Sequence, residues 1–241
     1  MSSSRKVLVP VLLLLVVAAV ITGLLLGNRG DNDDVGPERP TPDSPAQEAP
    51  GDDQPPAAEP PTEPVEAPDV ARRIEGDPMA VGPADAPVSV LVYSDYNCPY
   101  CQQWSHDTQP TIEEYAERGD VRLEWRDVSV LGEESTRAAT AAAAAAQQDA
   151  YWEYHEALFA DMSARSEDHL IELAQELGLD VEQFTAHLTD PDVLSLVQGN
   201  VQEAQALGVE STPSFIVGGT PVVGAQPTEV FVEIIERALA E

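Results

Sequence analysis

The chain contains only two cysteines, Cys98 and Cys101, separated by two residues. A pair so spaced closes within one tight turn, so it cannot staple distant segments, and the core must hold together without a disulfide framework. It follows Val88-Ser89-Val90-Leu91-Val92-Tyr93, a short β-branched apolar run that reads as a buried strand. A helix is expected to begin at the pair, with Pro99 at an early position where its missing N–H costs nothing. It should run to about Arg118, interrupted at Pro110 and closed by Gly119.

This strand-to-helix transition puts the Cys98 sulfur at a helix N-terminus, where unpaired N–H groups and the helix dipole stabilise a thiolate. Cys98, the more exposed, is expected to form a mixed disulfide, and Cys101, one turn on, to resolve it or store the oxidised pair. Two other readings fit the residues less well. Half of a zinc site lacks a second pair, and none of His106, His155, His169 or His187 has ligand spacing to the cysteines. A purely structural disulfide would close a very short loop and stabilise little. No metal or cofactor is expected.

Downstream, 121–128 alternates well enough for a second strand. From Glu133 to Leu207 the pattern is helical: an alanine-rich stretch through Ala146, an aromatic segment 151–161, then 167–177, 181–188 and 192–207. Ser166, Asp180 and Asp190 are N-cap candidates, the last followed by Pro191. Two short strands, 214–217 and 220–223, flank Gly218-Gly219, a two-residue hairpin turn, and an amphipathic helix over 229–240 ends the chain. The fold class is therefore α/β, in the order β-α-β, helical insertion, β-β-α. Trp104 reads as core, the alanine run as a closely packed helix, and His155 as a surface or interdomain hydrogen-bonding group.

The N-terminal part differs in kind. Residues 7–26 form an uncharged apolar stretch, roughly 30 Å long as a helix, enough to cross a bilayer once. Arg5 and Lys6 precede it and acidic sequence follows, which orients the N-terminus to the cytoplasm and the rest outside. A cleaved signal peptide shares this layout, but the apolar run is long for one and lacks a convincing cleavage site. Between 31 and 70 lie eleven prolines and twelve acidic residues against one basic, with almost nothing to build a core. Such a segment is a disordered spacer, or a low-complexity tail without a spacing role. The expected organisation is 1–6 cytoplasmic, 7–26 a transmembrane helix and 27–75 a linker. Residues 76–241 form the folded domain, its helical insertion at about 133–207.

The formal net charge is −31, and from residue 71 onward 31 acidic residues face 8 arginines, a balance of −23. No basic stripe exists, which argues against nucleic-acid binding.

The last signal is Ser211-Thr212-Pro213-Ser214-Phe215, a proline just before a late strand. Ordinarily this marks an edge or boundary. A cis bond there would turn the backbone of Thr212 outward, where an extended chain could pair with it.

Three stretches together carry a resemblance: 81–104 with Tyr93-Ser94-Asp95-Tyr96-Asn97-Cys98-Pro99-Tyr100-Cys101, Tyr151-Trp152-Glu153-Tyr154-His155-Glu156-Ala157-Leu158-Phe159, and 211–215. In these the chain resembles the DsbA-like thioredoxin-fold family of bacterial exported oxidoreductases. The resemblance implies a thioredoxin fold with an inserted all-helical domain, a nucleophile at Cys98, a resolving thiol at Cys101 and a cis-proline at Pro213. It also implies that Pro99 and Tyr100 shape the active site and that Thr212 and Pro213 contact substrate. The expected activity is a thiol oxidase acting on exported thiol-containing proteins and reoxidised by a membrane partner. Some relatives carry a buried acid on the strand entering the site; Val92 stands there here, and Asp95 comes three residues before Cys98. Threonine before the proline is shared with isomerases as well as oxidases, which leaves isomerase or reductase as the alternative. A redox-inert binding or chaperone module is the reading from another class.

Overall fold

In the computed structural model the structure is described for residues 67–241. The expected membrane helix at 7–26, the cytoplasmic 1–6 and the linker up to 66 lie outside the described residues. Among the described residues no helix is long and apolar enough to cross a membrane.

Five strands form one mixed sheet: β1 (Ala80–Val81), β2 (Val88–Ser94), β3 (Val121–Asp127), β4 (Ser214–Val217) and β5 (Thr220–Val223), in the order β1-β3-β2-β4-β5. β2 and β3 pair in parallel, and the other pairs are antiparallel. Both central strands are buried along their whole length, as expected of parallel strands covered on two faces. The crossover between them consists of α1 (Pro99–Asp107) and α2 (Gln109–Glu117), separated at Thr108. The interruption expected at Pro110 is thus a break into two helices, with the proline in the first turn of the second.

Between β3 and β4 come α3 (Glu133–Ala146), α4 (Tyr151–Ala160), α5 (Glu167–Glu176), α6 (Val181–His187) and α7 (Pro191–Ala206), the helical insertion read from the sequence. Ser166, Asp180 and Asp190 cap their helices through side-chain acceptance of backbone N–H groups. Ala138 to Ala146 are buried, their small side chains letting neighbouring helices pack close to α3. α8 (Thr228–Leu239) closes the fold. The β4–β5 hairpin turns at Gly218 and Gly219, both with positive φ, +52° and +80°, as a two-residue turn requires.

One sheet face carries Val88, Val90, Val92, Val121, Leu123 and Trp125 into the main core, where Trp104 stacks near Phe215 at 4.7 Å and Phe231 at 5.6 Å between ring centroids. The other face carries Leu91, Tyr93 and Ile216 against α7 and against Ala67, Val70 and Ala71.

Residues 67–75 depart from the linker reading. The Arg72 and Arg73 N–H groups donate to the Glu124 carboxylate at 2.9 and 2.7 Å, and Ala67 N–H donates to the Gly219 carbonyl at 2.8 Å. The partners lie more than fifty residues away, so local composition could not reveal them. β1 was also not expected, being too short to show periodicity.

Candidate active site

Cys98 is the N-cap residue of α1, with extended backbone (φ −92°, ψ 116°), and Pro99 occupies the first turn. Its carbonyl accepts the N–H of Cys101 at 3.0 Å and of Gln102 at 3.2 Å, while its own N–H donates to the Asp95 carbonyl at 3.0 Å. The turn therefore holds both sulfurs on one side of the helix start. Cys98 is 5% exposed and Cys101 fully buried, in the order expected. Both are free thiols in this structure. Pro99 and Tyr100 lie outermost, Tyr100 at 64% exposure.

The Thr212–Pro213 bond is cis, as the resemblance implies. Thr212, two residues before β4, stands beside the cysteine pair, 3.2 Å separating Cys98 Sγ from the Thr212 carbonyl oxygen. As a thiol, Cys98 donates to that carbonyl. As a thiolate it is held by the Cys101 thiol first, then by the Thr212 side chain and the backbone N–H groups of Cys101 and Tyr100. Against the cost of burial, these bring its pKa down to about 5. Burial and the neighbouring Cys98 sulfur push the Cys101 thiol far up. The two thiols thus differ in acidity, Cys98 shifted down and Cys101 shifted up.

Asp95 is fully buried. Its carboxylate accepts the N–H groups of Asn97 (2.8 Å), Val130 (2.9 Å) and Leu131 (3.0 Å). It clamps the cysteine turn to the loop after β3, whose Val130 and Leu131 are about half exposed.

Of the two positions expected for His155 as a hydrogen-bonding group, surface or interdomain, the surface one is excluded: it is fully buried between α4 and the sheet, edge-on to Trp125 at 4.4 Å between centroids. Its Nδ1 lies 3.0 Å from Tyr96 Oη. Tyr151 Oη donates to Asp127 Oδ2 at 3.0 Å, completing a buried polar cluster of Tyr96, Tyr151, His155 and Asp127. Of these, Asp127 was not singled out from sequence; the adjacent Tyr151 to Phe159 stretch was the one signal near it. Among the described residues no group of three or more His, Cys, Asp or Glu side chains is arranged to hold a metal ion.

A family model described as Thioredoxin matches residues 75–237. The probable disulfide bond formation protein D of Bacillus cereus is 31% identical over 151 residues, covering 58% of this chain and 70% of that protein. The Na(+)/H(+) antiporter NhaA 3 of Salinispora tropica is 33% identical over 161 residues, which is 66% of this chain but 24% of the antiporter. The chain thus spans about a quarter of the length of such relatives. Among solved structures, a thioredoxin-like oxidoreductase from Silicibacter pomeroyi superposes with a TM-score of 0.61 at 31% identity, covering 70% of this chain and 99% of that one.

Proposed function

This chain belongs to the thioredoxin family, and from that premise we propose that it is a thiol–disulfide oxidoreductase whose redox centre is Cys98 and Cys101. The observation that carries the proposal is the Cys98 sulfur at the start of α1, beside the Thr212 carbonyl, with its thiolate favoured at neutral pH. In the oxidising direction a substrate thiolate attacks Cys98 of the disulfide and Cys101 leaves. A second substrate thiol then attacks the mixed disulfide at the substrate sulfur and expels Cys98. Two electrons and two protons pass from the substrate to the pair. The outward backbone of Thr212 is suited to pair with an extended substrate segment.

Thiolate stability supports the oxidising direction. Whatever stabilises Cys98 as a thiolate stabilises the reduced pair, so the disulfide is a strong oxidant. We therefore read the protein as a thiol oxidase acting on exported proteins, tethered through residues 7–26 with its catalytic domain outside the cytoplasm, and reoxidised by a membrane partner. Equilibration of the pair with glutathione tests the direction. A potential between about −120 and −200 mV is expected; a value below about −250 mV would assign a reductase instead. Rescue of scrambled disulfides without oxidation of reduced substrate would favour an isomerase.

A further inference from the structure

Among α3, α5 and α7 the helical insertion holds a cavity of about 320 Å³ that the cysteine chemistry does not use. The buried Leu170 and Thr140 form its floor, Leu188 and Leu194 its wall, and the exposed Glu133 and Glu167 stand at its mouth. The floor offers no free hydroxyl proton, since Thr140 donates to the Thr136 carbonyl at 2.8 Å. Leu194 is 43% exposed, an apolar surface left for an occupant to cover. The volume is at the small end of the range for ligand pockets, roughly 300–1,000 Å³, and suits one or two apolar side chains.

The cavity adjoins the cysteine turn. The Asp95 carboxylate that accepts the Asn97 N–H also accepts those of Val130 and Leu131, so these two half-exposed apolar residues stand beside Cys98. Glu133 follows Leu131 by two residues, at most about 7 Å of chain. A second connection runs through Arg137, which lines the cavity and donates through Nε to the Arg165 carbonyl at 2.8 Å. Arg165 Nη2 in turn donates to the carbonyl of Tyr96, two residues before Cys98, at 3.2 Å. Val130, Leu131 and Leu194 therefore carry apolar surface from the redox centre onto the insertion.

The rim is acidic. Glu133, Glu134, Glu167 and Asp168 are exposed there against the single guanidinium of Arg137. That guanidinium is already committed, through Nε to the Arg165 carbonyl and at 3.9 and 3.8 Å to Glu133 and Glu134. Four carboxylates and one guanidinium leave a negative rim, which attracts cationic groups and repels anionic ones.

We propose that this cavity takes up an apolar side chain of the substrate polypeptide, and that its rim selects substrates with a basic residue next to that side chain. The inference deepens the thiol–disulfide reading above and rests on it. With the substrate cysteine at Cys98, the chain crosses Val130 and Leu131. A leucine three or four residues away, on the order of 10–14 Å in an extended chain, then enters beside Leu194. No bond changes at the cavity; it holds the segment so that the substrate thiolate meets Cys98. Pairing at the Thr212 backbone is indifferent to sequence, and the cavity supplies the preference.

The test mixes oxidised full-length protein with reduced single-cysteine peptides. Two peptide thiols give two electrons and two protons to the pair, forming a peptide disulfide and leaving Cys98 and Cys101 as thiols. One peptide carries leucine and arginine three and four residues to either side of its cysteine; in the others alanine replaces leucine, or glutamate replaces arginine. Rates are read by acid quench and mass spectrometry and expressed per peptide thiolate. Alanine should slow the exchange roughly 10-fold. Glutamate should slow it by about the same factor at low salt, an effect that shrinks as salt rises to about 0.5 M. Leu194→Gln should remove the leucine advantage and leave the alanine peptide at its wild-type rate. Glu133→Lys with Glu167→Lys should remove the arginine advantage. All three positions are exposed, so the fold is retained. Equal rates for the leucine and alanine peptides, or for the arginine and glutamate peptides, would overturn the proposal. So would either advantage surviving its variant. Sedimentation of the wild type as a dimer that Leu194→Gln dissociates would assign the cavity to a second copy of the chain instead. If no peptide reacts faster than it does with glutathione disulfide, the functional reading fails rather than the cavity.

Discussion

Replacing Cys98 with serine is expected to lower the rate of disulfide transfer to a reduced protein by roughly 10³-fold or more, to the uncatalysed background. The reason is specific to this sulfur. With its pKa brought down to about 5, Cys98 is almost wholly thiolate at neutral pH, whereas a serine hydroxyl in the same place is not ionised. Cys101→Ser should behave differently. Cys98 would still attack, but the buried partner that resolves the adduct would be gone, so a mixed disulfide with substrate should accumulate and appear as a slower band on a non-reducing gel. Serine at 101 should also raise the Cys98 pKa, because the Cys101 thiol is the foremost group holding the thiolate. A Cys98→Ser, Cys101→Ser double variant with full activity would favour a binding module.

The second large effect concerns stability and lies on the opposite face of the sheet. Glu124 is fully buried and bonds Arg126 Nη2 at 2.7 Å; Arg126 Nε reaches Glu203 at 3.0 Å, and Glu203 in turn meets Arg72 at 2.9 Å and the Tyr93 hydroxyl at 2.9 Å. Glu124→Ala would leave the buried Arg122 without its counter-charge and Arg126 with Glu203 alone, and would release the N–H groups of Arg72 and Arg73. The expected cost is about 3–5 kcal/mol in denaturant unfolding, with faster tryptic cleavage at Arg72 and Arg73. A loss below about 1 kcal/mol, the scale of an exposed ion pair, would contradict this. The pH dependence has a definite sign. Burial opposes ionisation of Glu124, but Arg126 and the two N–H donors outweigh it and hold its folded-state pKa below the ordinary value of 4.5. Its contribution is therefore present above the ordinary carboxylate range and lost as pH falls through the lowered pKa. The wild type should lose stability in that acid window, and Glu124→Ala should lose less.

The two faces also explain what the sequence could and could not disclose. Elements encoded locally were legible: the β-branched run of β2, the Gly218-Gly219 turn, the break before Pro110 and the acidic or hydroxyl caps of the insertion helices. The cysteine turn and Thr212-Pro213 were legible as candidates because each is a short motif beside a strand. The features that escaped depend on long-range burial. Arg72 and Arg73 look like linker residues until Glu124 reaches them, and Asp127 is an ordinary acid at a strand end until α4 covers it with Tyr151. His155, flanked by acidic Glu153 and Glu156, suggested a surface or interdomain hydrogen-bonding group without deciding between them, and its helix turns it into the sheet. β1, with two residues, is defined only by its pairing to β3.

The most direct measurement is the pH dependence of Cys98 alkylation by iodoacetamide in the reduced full-length chain, followed by mass spectrometry so that each cysteine is read separately. The rate at Cys98 should rise through an inflection near pH 5, with Cys101 unmodified throughout. An inflection near the ordinary thiol value of about 8.5, or equal reactivity of the two cysteines, would contradict the assignment of Cys98 as the activated nucleophile.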